Sequence, residues 1–406
     1  MPNVVFAVPF FKETTLRFVR GVASLPGVRL GLVTQDPREA LPEDLGKAIL
    51  GHWRCADALD PDGLLDGVRG VGRQLGSVDR LVGTLEQLQV PLGHVRDRLG
   101  IDGMGEETAR SFRDKSRMKT ILRAAGLPCA RHRLATTADE ARSFAALVGY
   151  PLVVKPPDGA GAKATFRVEH AGVLEESLAA MRPSPERPLL VEEFMQGTEH
   201  SFDAVNLGGK TVWHSLTRYL PPPLHVLENP WIQWTVLLPR EVDHPRYDDI
   251  RSVAARSLSA LGMGTGVSHM EWFRRPDGSI AISEVGARPP GAQICSLISY
   301  AHELDFYAAW GRLVVLDQWT PPERRFAVGA AYLRGQGQGR VKAIHGLEAA
   351  RREVGDLVVE TRLPEVGQSP SGSYEGEGYV ILRHASTEVV EKALKRLVTL
   401  VRVELG

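Results

Sequence analysis

The sequence predicts a chain that combines α/β and α+β architecture. Two observations lead to this fold class. Apolar runs typical of strands alternate with helical patterns over roughly the first hundred residues, and pairs of strand segments joined by Gly-containing or Pro-containing turns dominate the later part. With 406 residues and a hydrophobic content of 43%, the chain is long enough to bury several cores.

The N-terminal region predicts a Rossmann-like unit. We expect strands at residues 4–8, 28–33 and 79–82, a helix at residues 14–25 and an amphipathic segment at residues 85–99. Strands that alternate with helices pair in parallel, because each crossover helix returns the chain to the same end of the sheet.

The next region predicts longer helices followed by a strand pair. The run from about Glu106 to Gly126 is polar and helical in pattern, and Thr137 is placed to cap a helix over residues 137–147. Residues 187–206 predict two strands separated by a turn at Gly197.

The remaining chain predicts one more helix, a hairpin and a β-rich end. We expect a helix from Pro245 to Leu261, and strands on both sides of a turn at residues 276–278. After about residue 325 the pattern predicts short strands and Gly-rich turns, closed by a helix from Ser386 to Val401.

The composition excludes several classes of function. The 49 Lys and Arg residues balance the 49 Asp and Glu residues, so no global field attracts nucleic acid or an anionic membrane. No apolar run approaches the roughly 18 residues of a membrane-spanning helix, and the N-terminal run lacks the flanks of a signal peptide. The cysteines, Cys55, Cys129 and Cys295, are too far apart for a CxxC metal pair. We expect a cytoplasmic protein without nucleic-acid or membrane partners.

The segment LVVKPPDGAGAKATFRV, residues 152–168, predicts a β-hairpin with a Gly-rich tip. It lacks the Gly-Lys-Ser/Thr of a Walker A loop. Gly159, Gly161 and Ala164 formally match the dinucleotide-binding pattern, but β-formers follow them, so no helix begins there. The two glycines would let backbone amides approach phosphate oxygens, and Lys155 lies on the preceding strand. These residues alone leave an ordinary turn as the alternative.

Glu271 and Glu284 lie in the two strands around the turn at residues 276–278, each among apolar neighbours. Adjacent antiparallel strands bring partner side chains within about 5 Å, and carboxylates directed into a partly apolar sheet need a partner or a cation. Mg²⁺ prefers such oxygen ligands. Arg288, four residues after Glu284, is expected near the same cluster. A solvated edge or a structural Arg-Glu pair is the alternative.

In this order, the segments resemble the ATP-grasp superfamily from about Glu106 to Pro290. The matching blocks are FRDKSRMK, YPLVVKP with the Gly-rich hairpin, VEEFMQGTE, and the two strands that carry glutamates. The closest family types are carboxylate-amine ligases, such as the L-amino acid ligases, with an architecture like that of biotin carboxylase.

The resemblance implies a division of the chain into domains. We expect a Rossmann-like pre-ATP-grasp domain at residues 1–105 and a two-lobed ATP-grasp domain at residues 106–325. Its first lobe would span residues 106–190 and contain the hairpin, and its second lobe would span residues 191–325 and contain the metal site. A small β-rich α+β domain would follow at residues 326–406.

The resemblance also implies a role for each matching residue. Phosphate groups are expected at the two lysines and the hairpin glycines, adenine at the strand that joins the lobes, and Mg²⁺ at the paired glutamates. The residues are Lys115, Lys155, Gly159 and Gly161 for phosphate; Glu192 for the adenine amino group, with Glu193, Phe194 and Met195 lining the hinge; Glu199 for ribose; Glu271 and Glu284 for the metal; and Arg288 for the substrate carboxylate or the intermediate formed from it.

The sequence departs from the family pattern at two points. Many members carry Asn two residues after the second glutamate, where this chain has Gly286. The departure puts a second protein-held metal in doubt. The usual serine of the glycine loop is also absent, and Lys163 is a candidate to supply charge there, with an exposed loop lysine as the alternative.

The function implied by the resemblance is that of an ATP-dependent carboxylate-amine ligase. Such an enzyme makes an amide or peptide bond through an acyl phosphate and releases ADP and phosphate, with ATP and Mg²⁺, or Mn²⁺ in its place, as cofactors. Its partners would be a small carboxylate and an amine, and a homodimer is left open. The alternatives are a carboxylase-like enzyme that uses bicarbonate and a non-catalytic ATP-binding module.

The segment from Tyr219 to Trp234 is a candidate wall for the acceptor pocket, because it is irregular and rich in aromatic and polar residues. Its candidate residues are His225, Glu228, Trp231 and Trp234. Tryptophans that anchor the segment to the core are the alternative. His200 and His269 are expected to face away from the nucleotide.

Overall fold

The computed structural model describes residues 1–158, 165–229 and 232–406. The predictions for Gly159, Gly161, Lys163 and Trp231 concern residues outside these ranges.

The N-terminal region forms a parallel sheet with the strand order β3-β2-β1-β4. The elements are β1 (Asn3–Val8), α1 (Glu13–Ala23), β2 (Arg29–Thr34), α2 (Glu43–Ala48), β3 (Gly51–Arg54), α3 (Pro61–Leu75), β4 (Arg80–Val82) and α4 (Gln89–Leu99). The parallel sheet confirms the predicted fold class of this region.

Strand β3 and helix α3 were not predicted. The strand expected at residues 79–82 is therefore the fourth strand, β4. The glycines of α3 lower its helix propensity and hide its pattern. Two of them have a packing role, because a Cβ at Gly67 or Gly70 would collide with Val33 or with the Trp53 ring. Helix α3 thus lies flat on β3, and Asp60 caps its first turn.

The second region contains an antiparallel sheet with the order β5-β8-β6-β7. Its elements are α5 (Glu106–Arg113), α6 (Lys115–Ala124), β5 (His132–Ala135), α7 (Ala138–Val148), β6 (Leu152–Lys155), β7 (Phe166–Val168), α8 (Ala171–Met181) and β8 (Leu189–Glu193). Leu152 pairs with Val168 and Val154 with Phe166, which confirms the hairpin. Thr137 caps α7, as predicted.

The single helix expected from Glu106 to Gly126 is interrupted at Asp114. This residue has extended backbone angles, and its side chain accepts hydrogen bonds from the amides of Ser116 and Arg117. It is therefore the N-cap of a new helix. The interruption places Lys115 in the first turn of α6.

The third region begins a long sheet with the order β13-β12-β9-β10-β11-β14-β18-β17. Its elements are β9 (Thr198–Leu207), β10 (Lys210–Leu220), α9 (Pro223–Glu228), β11 (Trp234–Leu238), α10 (Asp248–Ala260), β12 (Gly266–Arg274), β13 (Ile280–Gly286), α11 (Ile294–His302) and α12 (Phe306–Leu316). Strands β8 and β9 belong to different sheets, so the turn at Gly197 connects them as a hinge.

Helices α11 and α12 were not predicted, because apolar residues surround them and obscure the helical period. They are buried between the N-terminal unit and the long sheet. Trp310 of α12 packs against Phe6 and Phe18, and Gly21 of α1 lies against the backbone of Tyr307. These contacts fix the N-terminal unit on the rest of the chain.

The C-terminal region continues the long sheet across residue 326. Its elements are β14 (Ala327–Leu333), β15 (Gly335–Gln336), β16 (Val341–His345), α13 (Leu347–Val354), β17 (Val358–Arg362), β18 (Gly378–His384), α14 (Thr387–Leu400) and β19 (Arg402–Leu405). β14 pairs with β11, and β15, β19 and β16 form a small separate sheet. Within the described ranges, no helix has both the length and the apolar character needed to cross a membrane.

Candidate active site

A cavity of about 730 Å³ opens where the hairpin region, the long sheet and the N-terminal unit meet. It is lined by every described residue to which the sequence analysis assigned a binding or catalytic role. These are Lys115, Lys155, Glu192, Glu193, Phe194, Met195, Glu199, Glu271, Glu284 and Arg288. The structure thus brings the residues together from five separate segments, while their individual roles remain predictions.

Glu271 of β12 and Glu284 of β13 lie directly opposite each other across the two strands. A bulge after Glu271 shifts the register, and both side chains remain partly exposed to the cavity. Lys115 Nζ lies 2.9 Å from Glu284 Oε1. Burial opposes the charge of Glu284, but Lys115 and Lys155 hold its pKa below the ordinary value.

The glutamate pair fits a divalent cation of the Mg²⁺ type, because it offers two hard oxygen ligands side by side in the cavity wall. Among the described residues, no group of three His, Cys, Asp or Glu side chains forms a ready-made cage. A metal at Glu271 and Glu284 would therefore take further ligands from phosphate and water, as Mg²⁺ usually does.

Glu192 is buried between two lysines. Its Oε2 lies 2.8 Å from Lys155 Nζ and its Oε1 lies 3.1 Å from Lys119 Nζ. Although burial favours the neutral form, the two ammonium groups lower the pKa of Glu192 to about 2. Lys119, which also donates to the carbonyl oxygen of Ser283, is a site residue that the sequence analysis missed.

The signal that could have revealed Lys119 is its spacing. It lies one helical turn after Lys115, on the same buried face of α6 as Met118 and Leu122. A lysine at a core position of an amphipathic helix needs an anionic partner, because burying an unpaired ammonium is costly.

Glu199 lies on β9 and is buried beside the glutamate pair. Burial and the charge of Glu271 raise its pKa well above the ordinary value for a carboxyl group. The neutral acid that this favours can both donate and accept a hydrogen bond. The ribose contact of Glu199 remains a prediction.

His269 lines the cavity, and the expectation that it faces away was wrong. Residues two apart on a strand share a face, so His269 points to the same side as Glu271. Its Nδ1 lies 2.6 Å from Asp203 Oδ1, and its Nε2 lies 3.4 Å from Tyr219 Oη and 3.7 Å from Glu271 Oε1. Burial disfavours its charge, but Asp203 raises the pKa of His269 to about 9.

His200 does face away from the cavity, as expected. It is adjacent to Glu199 in sequence and therefore points to the opposite side of β9. Its ring stacks on Trp272 with centroids 4.6 Å apart.

Arg288 donates from Nε to Glu86 Oε2 across 2.5 Å. Burial opposes its charge, yet Glu86 raises the pKa of Arg288. Glu86 belongs to the loop after β4 and was also missed by the sequence analysis. Gly286 lies beside this carboxylate, since a Cβ at that position would be 3.1 Å from Glu86 Oε2.

The hinge after β8 is held by side chains from both lobes. Glu193 lies 2.7 Å from Arg131 Nε and 3.1 Å from Arg275, and the Arg167 guanidinium lies 4.3 Å from the centroid of the Phe194 ring. The amides of Glu193 and Phe194 donate to the carbonyls of Arg131 and Pro151. Contacts from these two residues to adenine would therefore use their carbonyl oxygens.

The segment from Tyr219 to Trp234 lines the cavity and is also anchored to the core by a tryptophan. His225 and Glu228, on α9, line the cavity, and Trp234 is buried and stacks on Tyr332 at 4.7 Å. Arg334 holds the segment by donating to the carbonyl oxygens of Val226, Asn229 and Ile232.

Comparisons with known proteins agree with this geometry. Residues 120–299 match the family model of the ATP-grasp domain. The chain is 27% identical over 351 residues to an uncharacterized protein of Sinorhizobium fredii. The aligned region covers 82% of this chain and 71% of that protein. It is 26% identical over 230 residues to the L-arginine-specific L-amino acid ligase of Bacillus subtilis, covering 55% of each chain.

The fold also matches a solved structure over its full length. The L-amino acid ligase of Bacillus licheniformis superposes with a TM-score of 0.78 at 18% identity, covering 100% of this chain and 99% of that one. Residues 120–299 are therefore similar to the ATP-grasp domain family, and the chain as a whole shares the fold of that ligase. Members of this family of ATP-dependent ligases bind ATP with Mg²⁺.

Proposed function

We propose that this protein is a carboxylate-amine ligase that joins an amino acid or similar small carboxylate to an amine. It would release ADP and phosphate and pass through an acyl phosphate. The observation that carries the proposal is the convergence of Lys115, Lys155, Arg288 and the Glu271–Glu284 pair on one cavity. A site that only bound ATP would have no need of an arginine held in the cavity wall by Glu86.

The lysines supply countercharge to the phosphates. Lys115 pairs with Glu284, and Lys155 pairs with Glu192. Each ammonium group therefore has an anionic partner inside the protein, which offsets the cost of its burial. A bound triphosphate offers oxygens of higher charge, and the ammonium groups would then bridge carboxylate and phosphate.

Arg288 supplies the countercharge at the reacting end. With Nε engaged by Glu86 and Nη1 donating to the carbonyl of Pro289, the guanidinium plane is fixed in the cavity wall. Its charge would orient the substrate carboxylate and stabilise the negative charge that develops there.

The covalent steps are an attack and a displacement. A carboxylate oxygen attacks the γ-phosphorus, and the bond to ADP breaks. The amine nitrogen then attacks the acyl carbon, loses a proton, and displaces phosphate. When bound at Glu271 and Glu284, Mg²⁺ or Mn²⁺ would neutralise charge on the phosphate oxygens.

The domain assignment belongs to the same proposal. Residues 1–105 and 326–406 would frame the ATP-grasp domain at 106–325, with the lobes meeting at the hinge near residue 190. Glu86 and Tyr374 line the cavity from the two framing units, which supports a site that needs all of them.

The proposal is tested by ADP and phosphate release from ATP and Mg²⁺. Amino acids are supplied singly and in pairs, and bicarbonate is supplied separately. Release that requires a carboxylate and an amine together, and that is lost in Glu284→Ala, supports the ligase. Release driven by bicarbonate would indicate the carboxylase-like reaction, and ATP binding without release under any condition would indicate a binding module.

A further inference from the structure

Tyr374 lies in the cavity wall on a segment to which the proposed function gives no chemical role. It belongs to the connection between β17 and β18, close to the C-terminal end of the chain. Its ring meets Trp234 edge-on, with centroids 4.7 Å apart and an interplanar angle of 72°. Trp234 in turn stacks on Tyr332. Tyr374 is therefore the accessible front of a buried aromatic stack.

The segment that carries Tyr374 is held by a buried carboxylate. Glu377 accepts hydrogen bonds from the amide of Gly335 at 2.6 Å and from the amide of Ser371 at 3.0 Å. Gln368 donates to the carbonyl of Glu377 at 3.1 Å. Because these bonds fix both sides of the segment, the Tyr374 ring is presented to the cavity in one position.

Tyr374 lines the same cavity as Arg288 and Glu271. Burial and the charges of Glu375 and Glu271 raise the pKa of its hydroxyl, and Arg288 opposes them. The groups that act on Tyr374 thus include the arginine proposed to hold the substrate carboxylate. A substrate held at Arg288 would extend its side chain along this wall.

Apolar residues line the cavity from a second segment, which also presents His225 and Glu228. Leu224 and the prolines Pro222 and Pro223 line the cavity from α9 and the turn before it. The carbonyl bonds of Arg334 hold this segment in place, so both walls are built before a substrate arrives.

We propose that Tyr374 and Leu224 contact the side chain of the carboxylate substrate, and that this substrate is an amino acid with a bulky apolar side chain. The identification of the ligand as a substrate rests on the proposed function. The binding surface itself consists of the aromatic stack at Tyr374 and the segment that Arg334 holds in place.

The charges around the wall favour an apolar side chain over a cationic one. Glu86 is already paired with Arg288, and burial raises the pKa of Glu375, which favours its neutral form. Glu228 lines the cavity but is exposed at the rim. A substrate guanidinium at Tyr374 would therefore lose its hydration near the positive charge of Arg288, and none of these three carboxylates would pair with it.

The test is calorimetric titration of the full chain in the presence of Mg²⁺ and a non-hydrolysable ATP analogue. The probes are L-leucine, L-phenylalanine, L-arginine and L-glutamate. We expect the two apolar amino acids to bind at least about 10-fold more tightly than the charged ones, since burial of an apolar side chain is favourable and burial of an unpaired charge is not.

Three variants test whether amino-acid binding depends on the aromatic ring of Tyr374. Tyr374→Ala is expected to weaken L-leucine binding about 10-fold, and Tyr374→Phe, which keeps the ring, is expected to retain binding. Leu363→Ala is the control, since Leu363 is an exposed residue of the same connection that does not line the cavity. Thermal unfolding of each variant verifies that it folds.

The outcomes distinguish this inference from the proposed function. Tighter binding of L-arginine or L-glutamate, unchanged binding in Tyr374→Ala, or no binding of any of the probes would overturn the inference. Binding of L-leucine that depends on Tyr374, without ADP release in the assay above, would support the inference and contradict the ligase.

Discussion

Arg288 and Glu86 form an ion pair between residues 202 positions apart in sequence, with the arginine Nε 2.5 Å from Glu86 Oε2. The pair joins the loop after β4 to the end of β13, so the N-terminal unit takes part in the candidate active site. It also orients the one arginine that the sequence analysis assigned to the substrate carboxylate.

Removal of the charge on Glu86 tests this orientation. In Glu86→Gln, we expect kcat/KM for the carboxylate substrate to fall about 10-fold, because the guanidinium loses its fixed plane, a cost of roughly 1.4 kcal/mol. KM for ATP should change little. Glu107→Gln is a matched control, since Glu107 is an exposed residue of α5 that pairs with Arg117 of α6. Equal kinetics in the two variants would show that Glu86 does not position Arg288.

Lys119 is expected to be a structural requirement of the site. Lys119→Met leaves Glu192 buried with only Lys155 as its partner, so the free energy of unfolding should fall by about 3 kcal/mol. Arg123→Met, an exposed change on the same helix, should alter it by less than about 0.5 kcal/mol. Urea unfolding of both variants makes the comparison. A loss of the same size in both would contradict the buried ion pair.

Glu192 predicts a pH dependence with a defined sign. Its pKa is lowered from 4.5 to about 2 in the folded chain, so its stabilisation is present above pH 4.5 and is lost as the pH falls toward 2. Compared with Glu192→Gln, the wild type should be more stable at neutral pH, and the difference should shrink below pH 4.5. Urea unfolding at several pH values measures it. A difference that stays constant on acidification would show that the carboxylate is not held in its charged form.

Replacement of either glutamate should weaken magnesium binding, and the two replacements should differ in their effect on the melting temperature. Both Glu271→Gln and Glu284→Gln should raise the Mg²⁺ concentration needed for ATP binding at least about 10-fold, because each removes an anionic ligand. Glu284→Gln should lower the melting temperature more than Glu271→Gln does, since it removes the 2.9 Å ion pair with buried Lys115. Magnesium titrations and thermal unfolding test the two expectations. An unchanged magnesium requirement in both variants would place the metal elsewhere.

Local patterns were sufficient to predict much of the architecture. The alternation in the first strands, the hairpin at residues 152–168 and the glutamate strands were all readable from short windows of sequence. Helix α3 was missed because its glycines serve packing on Trp53, a contact that no local pattern contains. Helices α11 and α12 were missed because they are mostly buried and apolar, which leaves little of the polar face on which a periodic pattern depends.

The candidate site shows the same limit. Lys155 and Glu271 belong to short motifs, and the cavity contains both. Glu86 and Tyr374 reach the cavity through tertiary contacts from distant segments, and nothing in their sequence neighbourhood marks them. His269 is a different case, because two-residue spacing on a strand was sufficient to place it beside Glu271.

The central claim is that a substrate carboxylate is activated by transfer of the γ-phosphoryl group. The most direct measurement supplies the proteinogenic L-amino acids with oxygen-18 in their carboxylates, together with ATP and Mg²⁺, and determines the mass of the released phosphate. We expect phosphate that carries one oxygen-18 atom, because the carboxylate oxygen that attacks phosphorus is released as part of the phosphate. Phosphate without the label, or label recovered in AMP, would contradict the acyl-phosphate mechanism.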